Sequence, residues 1–201
     1  MLLIGLTGGI ASGKSKVSAF LKSCGAVIID ADEIAREIVL PYKPAWEQIV
    51  NKWGKEILKL DGTVDRFKLG SIVFSNYEEL AYLNNITHPE IIKEIKKRIS
   101  YEDAETINIL DAPLLIEAGL FDMVDQVWLV SVNEETRIIR LMDRDKLSFD
   151  DAKKRIRAQM PLEEKKKYAH LIIDNNGLWK DTECFLQHAL ARLKEKEEIG
   201  F

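Results

Sequence analysis

A parallel three-layer α/β sandwich is the fold class that this sequence predicts, and three observations predict it. Short apolar runs alternate with amphipathic helical patterns along most of the 201 residues. The first apolar run leads directly into the glycine-rich turn Gly8-Gly9-Ile10-Ala11-Ser12-Gly13-Lys14-Ser15. Two later runs end in the acidic residues Asp30 and Asp111, so carboxylates gather at strand ends. Open α/β sheets bind their ligands along that edge.

The first strand is Leu2-Leu3-Ile4-Gly5-Leu6. The helix after the turn repeats Val17, Phe20, Leu21 and Cys24 at i, i+3, i+4 and i+7, which places Cys24 on its apolar face. Strand, glycine-rich turn and helix are the context that the phosphate-loop pattern G-x-x-x-x-G-K-[ST] requires. Glycines let successive N–H groups converge on one concavity, and the helix N-terminus adds its partial positive charge. Lys14 then reaches the outer phosphates and the Ser15 hydroxyl can ligate Mg2+. The chain is expected to bind a nucleoside triphosphate.

Gly25 stops the first helix, and Ala26-Val27-Ile28-Ile29 forms the second strand, followed by a short helix carrying Ile34, Ala35 and Ile38. Asp32 stands where strand gives way to helix and suits two jobs, capping that helix or taking a proton from an attacking hydroxyl. Asp30 suits capping or a supporting hydrogen bond. Residues 41–103 break the alternation with helical patterns around Trp46–Trp53, Phe67–Phe74 and Leu80–Ile86, and with turn signals at Gly54 and Asp61-Gly62. His88-Pro89 is expected to open a further helix, with His88 as its cap or as an anion contact. Such a helical insertion serves either as a cap over an acceptor substrate or as packing.

The third strand, Thr106–Leu110, closes on Asp111, a carboxylate placed to help hold Mg2+. Glu117 projects from the Pro113-Leu114-Leu115-Ile116-Glu117 stretch that follows. After the fourth strand, Val127–Val132, the spacing of Arg137, Arg140 and Arg144 puts three guanidiniums on one helix face, with Ile138, Leu141 and Met142 opposite. That face is either a solvated basic surface or a set of cations closing over phosphates. Leu171-Ile172-Ile173 is the fifth strand, and the last helix is expected to bury Phe185, Leu186, Ala189, Leu190 and Leu193.

Bulk properties narrow the function. A net charge of −4 argues against a general nucleic-acid or membrane-surface binder. Residues 137–170 nevertheless carry +5 and the rest −9, which suggests a local anionic ligand. Two distant cysteines, Cys24 and Cys184, form no metal or redox motif. No stretch reads as a signal peptide or transmembrane span, so a cytoplasmic enzyme with no obligate protein partner is expected.

Several stretches, in order, together resemble the dephospho-CoA kinase family. They are Leu6–Ser15, Ile29-Asp30-Ala31-Asp32 with Arg36, His88-Pro89, Pro113–Glu117, Arg140–Asp145, Ala158-Gln159-Met160 and Ile173–Gly177. The resemblance implies a P-loop NTPase fold with a five-stranded parallel sheet in the order 2-3-1-4-5. It implies transfer of the γ-phosphate of ATP to the ribose 3′-hydroxyl of dephospho-CoA, the last step of coenzyme A synthesis. By the same resemblance Asp32 is the general base, Arg36 and His88 with Leu115 and Glu117 meet the acceptor, and Arg140 and Arg144 belong to a lid over the phosphates. Asn175 would lie beside the adenine, and Gly8 to Lys16 would hold the donor. The implied layout is one kinase domain: a core of residues 1–40, 104–136 and 169–201, an acceptor-binding insertion at 41–103 and a lid at 137–168. The chain departs from the family pattern at Ala11, where glycine is usual, at Lys16, where threonine is usual, and at His170, where an acid is common. Alanine is tolerable at position 11 unless the backbone there needs positive φ. A small-molecule kinase for another acceptor, or an ATP-driven switch, are the competing readings.

Overall fold

The computed structural model describes residues 2–99 and 106–198. It contains strands β1 (Leu2–Gly8), β2 (Val27–Asp30), β3 (Ile107–Asp111), β4 (Gln126–Ser131) and β5 (Leu171–Asp174), in the sheet order β2-β3-β1-β4-β5. The pairings are parallel, with Leu6 opposite Asp111, Gly8 opposite Val130 and Ser131 opposite Asp174. Parallel strands in this register bring the C-terminal ends of β1, β3, β4 and β5 to one edge of the sheet. The glycine turn, Asp111 and the Asn175 loop therefore leave the sheet together, as the switch point of a doubly wound sheet requires.

The helices of this part are α1 (Lys14–Ser23), followed after the insertion by α6 (Glu134–Asp145), α7 (Phe149–Arg157), α8 (Leu162–Lys166) and α9 (Trp179–Glu198). Val17 and Leu21 of α1 join Leu186 and Leu190 of α9 over Ile4, Leu6, Ile109, Trp128, Val130 and Ile173 of the sheet. Phe185 does not belong to that core: it is 41% exposed, because the buried stripe of α9 runs through Leu186 and Leu190 instead. Cys24 is likewise exposed rather than on the apolar face, since α1 ends at Ser23 and Cys24 is already its C-cap. Cys184 is exposed too. A smaller cluster of Ile138, Leu141, Ala152 and Ile156 joins α6 to α7, and Ile10 and Ala11 of the glycine turn pack against it. On α6 the expected division of faces fails twice, with Arg137 buried and Met142 exposed.

Asp30–Ile99 form a second compact unit, and the expected boundary at 103–104 falls outside the described residues. The second unit holds α2 (Ala31–Glu37), α3 (Pro44–Trp53), α4 (Arg66–Val73) and α5 (Tyr77–Arg98). Its core includes Ala45, Ile49, Ile57, Leu69, Val73, Ile86 and Ile95. The turn signals hold, with Gly54 and Gly62 both at positive φ and the Gly62 carbonyl accepting from Trp46 Nε1 at 2.9 Å. Pro89, however, does not open a helix; it lies inside α5. Losing one N–H forfeits a single helical hydrogen bond, and Ile86 and Ile95 anchor the helix on both sides of it. His88 is accordingly mid-helix and half-buried, and caps nothing.

Candidate active site

The glycine turn is built by its own backbone. Ser12 N–H donates to the Gly9 carbonyl at 3.0 Å, and Gly13, at φ 86°, sets the left-handed bend that starts α1. The first N–H groups of a helix have no intrahelical acceptor, so Lys14 and Ser15 offer donors to an anion. Ala11 stands at φ 61°, the left-handed region that glycine would occupy without strain. Around the turn lies a cavity of about 520 Å3 lined by Gly8 to Ser15 together with Arg140, Arg144 and Gln159.

Three tertiary ties hold the turn in shape. Arg140 spends its guanidinium on carbonyls, donating from Nη1 to Ala11 at 3.3 Å and to Ser12 at 3.4 Å, and from Nη2 to Asn175 at 3.1 Å. Asn175 donates from Nδ2 to the Ser12 carbonyl at 2.8 Å and accepts from Thr182 Oγ1 at 3.2 Å. Its amide is thus engaged at both ends within the protein, and its side chain clamps the loop. A Cβ on Gly13 would collide with that same Nδ2, so the clamp and the glycine require each other. Gln159 accepts from the Ile10 N–H at 2.7 Å, joining the segment after α7 to the turn. Sequence reasoning gave Gln159 no role; its presence among the stretches carrying the resemblance was the available signal.

Cations outnumber carboxylates in the cavity lining, Lys14, Arg140 and Arg144 against Asp143. Lys14 forms an ion pair with Asp111 at the end of β3. Arg144 donates to Asp145 from Nε at 2.7 Å and Nη2 at 3.0 Å, and those bonds raise its pKa above the usual guanidinium value. Lys16 turns away from the cavity and rests over the Trp179 ring at 4.3 Å from its centroid, a cation–π contact in place of a threonine hydroxyl. His170 closes the start of β5, its Nδ1 accepting from Val127 N–H at 3.0 Å. The Ser15 hydroxyl and the Asp111 carboxylate are hard oxygen donors of the kind Mg2+ takes when phosphates and water supply the rest. The residues present fit that ion.

Two expected acceptor contacts have other work. Leu115 is wholly buried and packs on Gly5, where an added Cβ would lie 2.5 Å from Leu115 Cδ2. Its side chain belongs to the core, because the Pro113–Glu117 stretch folds back over β1. Glu117 pairs with Lys165 of α8 at 2.8 Å. The second unit carries Asp32, Arg36 and His88. Asp30 is the N-cap of α2, accepting from Glu33 N–H at 2.9 Å. Asp32 is therefore relieved of capping and stands exposed in the first turn of α2, with exposed Arg36 one turn later.

The family model for dephospho-CoA kinase matches residues 2–181. A dephospho-CoA kinase from Carboxydothermus hydrogenoformans is 51% identical over 97% of this chain and 96% of its own. The solved dephospho-CoA kinase from Campylobacter jejuni is 31% identical with a TM-score of 0.72, covering 97% of this chain and 98% of that one. A shikimate kinase from Acinetobacter baumannii, 16% identical with a TM-score of 0.54 over 99% and 96% of the two chains, shares the fold alone. A glycine turn that holds its shape through Arg140, Asn175 and Gln159, on the central strand of a 2-3-1-4-5 sheet, thus sits in a chain that belongs to the dephospho-CoA kinase family.

Proposed function

We propose that this chain transfers the γ-phosphate of ATP to the ribose 3′-hydroxyl of dephospho-CoA, giving coenzyme A and ADP. The observation that carries the donor half is the convergence of Gly8 to Ser15, Arg140 and Arg144 on one cavity; family membership carries the acceptor half. On this reading the loop N–H groups hold the β-phosphate, and Lys14 exchanges Asp111 for phosphate oxygens. Ser15 and Asp111 would hold Mg2+, which would supply positive charge against the phosphates. Arg144 contributes a further cation over the transferring group, and Arg140 keeps the loop carbonyls turned away from it.

Asp32 is the base in this scheme. The acceptor oxygen forms its bond to the γ-phosphorus as the bond to the β–γ bridging oxygen breaks; the hydroxyl proton passes to the Asp32 carboxylate and the electron pair leaves with ADP. Arg36 and His88 are assigned to the acceptor. No helix among the described residues is long and apolar enough to cross a membrane, and a cytoplasmic site of action completes the proposal.

Mass detection of phospho-dephospho-CoA after incubation with Mg-ATP tests the acceptor; faster ADP release with adenosine or shikimate would overturn it. Asp32→Asn tests the base. It is expected to lower kcat by about 100-fold or more with ATP binding little changed, and unchanged turnover would remove Asp32 from that role.

A further inference from the structure

Arg137 lies in α6 beside the core residues Ile138 and Leu141 and is 7% exposed. Cations this deep in a protein are ordinarily paired. Arg137 is not: its Nε is buried with no hydrogen-bond partner, and it forms no salt bridge among the described residues. Burial pushes its pKa below the usual guanidinium value, and Glu134, one turn earlier on α6, opposes that shift. A guanidinium remains charged under such a shift. The free protein therefore keeps at Arg137 a guanidinium with a buried, unpartnered Nε and no ion pair among the described residues, its charge offset only by Glu134.

What the side chain touches is the glycine turn. A Cβ added to Gly9 would lie 2.6 Å from Arg137 Nη1, 3.6 Å from Cζ and 3.7 Å from Cδ. Guanidinium and stem thus cover the Cα of Gly9, and a side chain there would have to displace the end of the arginine. Gly9 lines the cavity and Arg137 does not. The charge stands behind the wall, one layer of backbone away.

We propose that Arg137 is a positioning residue for the donor nucleotide: a buried, unpaired cation that holds the Gly9 turn and charges it from behind for a polyphosphate. The idea rests on Gly8 to Ser15 being the donor site. An anion in the cavity supplies the opposite charge that the free protein lacks, so binding relieves what folding leaves unpaired. This role differs from that of Arg140 and Arg144, which line the cavity themselves.

Arg137→Met, similar in length and uncharged, is the test, with Arg137→Lys as the conservative variant. Melting temperatures are measured with and without inorganic tripolyphosphate, and kcat and KM with Mg-ATP and dephospho-CoA. The Met variant is expected to melt no lower than the parent when free, yet to gain less than half of its rise with tripolyphosphate. Its KM for ATP should increase about tenfold, the order of a charge felt through one backbone layer, and by more than kcat falls or the acceptor KM changes. Arg137→Lys should recover most of both effects. A Met variant that melts lower while its tripolyphosphate rise and ATP KM match the parent would make Arg137 a packing residue and overturn the proposal. If the Met variant does not fold, Arg137→Gln against Arg137→Lys carries the same comparison: loss in Gln and recovery in Lys is expected, and equal behaviour refutes it. Failure of the parent to phosphorylate dephospho-CoA, with its tripolyphosphate rise intact, would refute the acceptor assignment alone.

Discussion

Ala11 shows how a single residue can be strained and retained. Its φ of 61° costs an alanine about 1–2 kcal/mol relative to the right-handed region. The methyl group recovers part of that, because Ala11 packs on the Ile138–Ile156 cluster that joins α6 to α7. Ala11→Gly would remove the strain and also the contact, and would loosen the unfolded chain. These terms oppose one another, so its stability should stay within about 0.5 kcal/mol of the parent by urea unfolding. Ala11→Val should destabilise by about 2 kcal/mol or more, since a β-branched residue is poorly tolerated at that φ. Equal stabilities for alanine, glycine and valine would mean that the turn does not hold this conformation in solution. The substitution was visible in the sequence; the backbone angle was not, because it is set by Arg140 and Asn175 pulling on the Ala11–Ser12 carbonyls from distant parts of the chain.

At the scale of elements, α6 and α7 are joined by one carboxylate as well as by their apolar cluster. Asp145, the last residue of α6, accepts from Arg144 and from Arg155 of α7 at 2.8 Å, just before Lys146 turns the chain at φ 54°. The Arg144 hydrogen bond, aided by the charges of Arg144 and Arg155, holds the Asp145 carboxyl below its usual range. A carboxylate with a depressed folded pKa contributes stability above its unfolded pKa and loses it as pH falls through the folded value. The tie is therefore intact at neutral pH and is released only as pH falls below the ordinary carboxylate range. Asp145→Asn should scarcely move global stability, because the pair is solvent-screened. It should instead leave the α6–α7 turn unprotected in amide exchange at pH 7, where the parent is protected, and should abolish the parent's loss of protection on acidification. Matching protection in both proteins at both pH values would show that the apolar cluster alone holds the turn. Helix boundaries were legible where the signal was local, as at Asp30, which accepts from Glu33 N–H three residues on, and at Gly25, at φ 95° just past α1. They failed at Pro89, where packing of Ile86 and Ile95 overrides the local preference of proline for a helix start.

For the whole molecule, the alternation of strands and helices was legible because periodicity and the glycine turn are local properties. The joints between elements were not, since each depends on residues far apart in sequence: Asn175 with Ser12, Gln159 with Ile10, and Lys165 with Glu117. The last joint is the most demanding energetically. Lys165 of α8 is wholly buried, and its ammonium donates to Glu117 and, at 3.0 Å, to the Pro113 carbonyl. That carbonyl also accepts from Thr7 Oγ1 of β1 at 3.1 Å, so one cation ties α8 to the stretch after β3 and, through it, to the central strand. Removing the acid would strand an ammonium in the interior, whereas removing the lysine leaves a carboxylate that keeps partial access to water. Glu117→Gln should therefore cost about 3 kcal/mol in urea unfolding, and Lys165→Met about 1 kcal/mol, although both delete the same ion pair. The double variant should fall near Lys165→Met alone, because glutamine is then no longer facing a buried charge. Equal costs for the two single variants would mean that water reaches the Lys165 ammonium, and that the carbonyl of Pro113, rather than the acid, is what holds α8 in place.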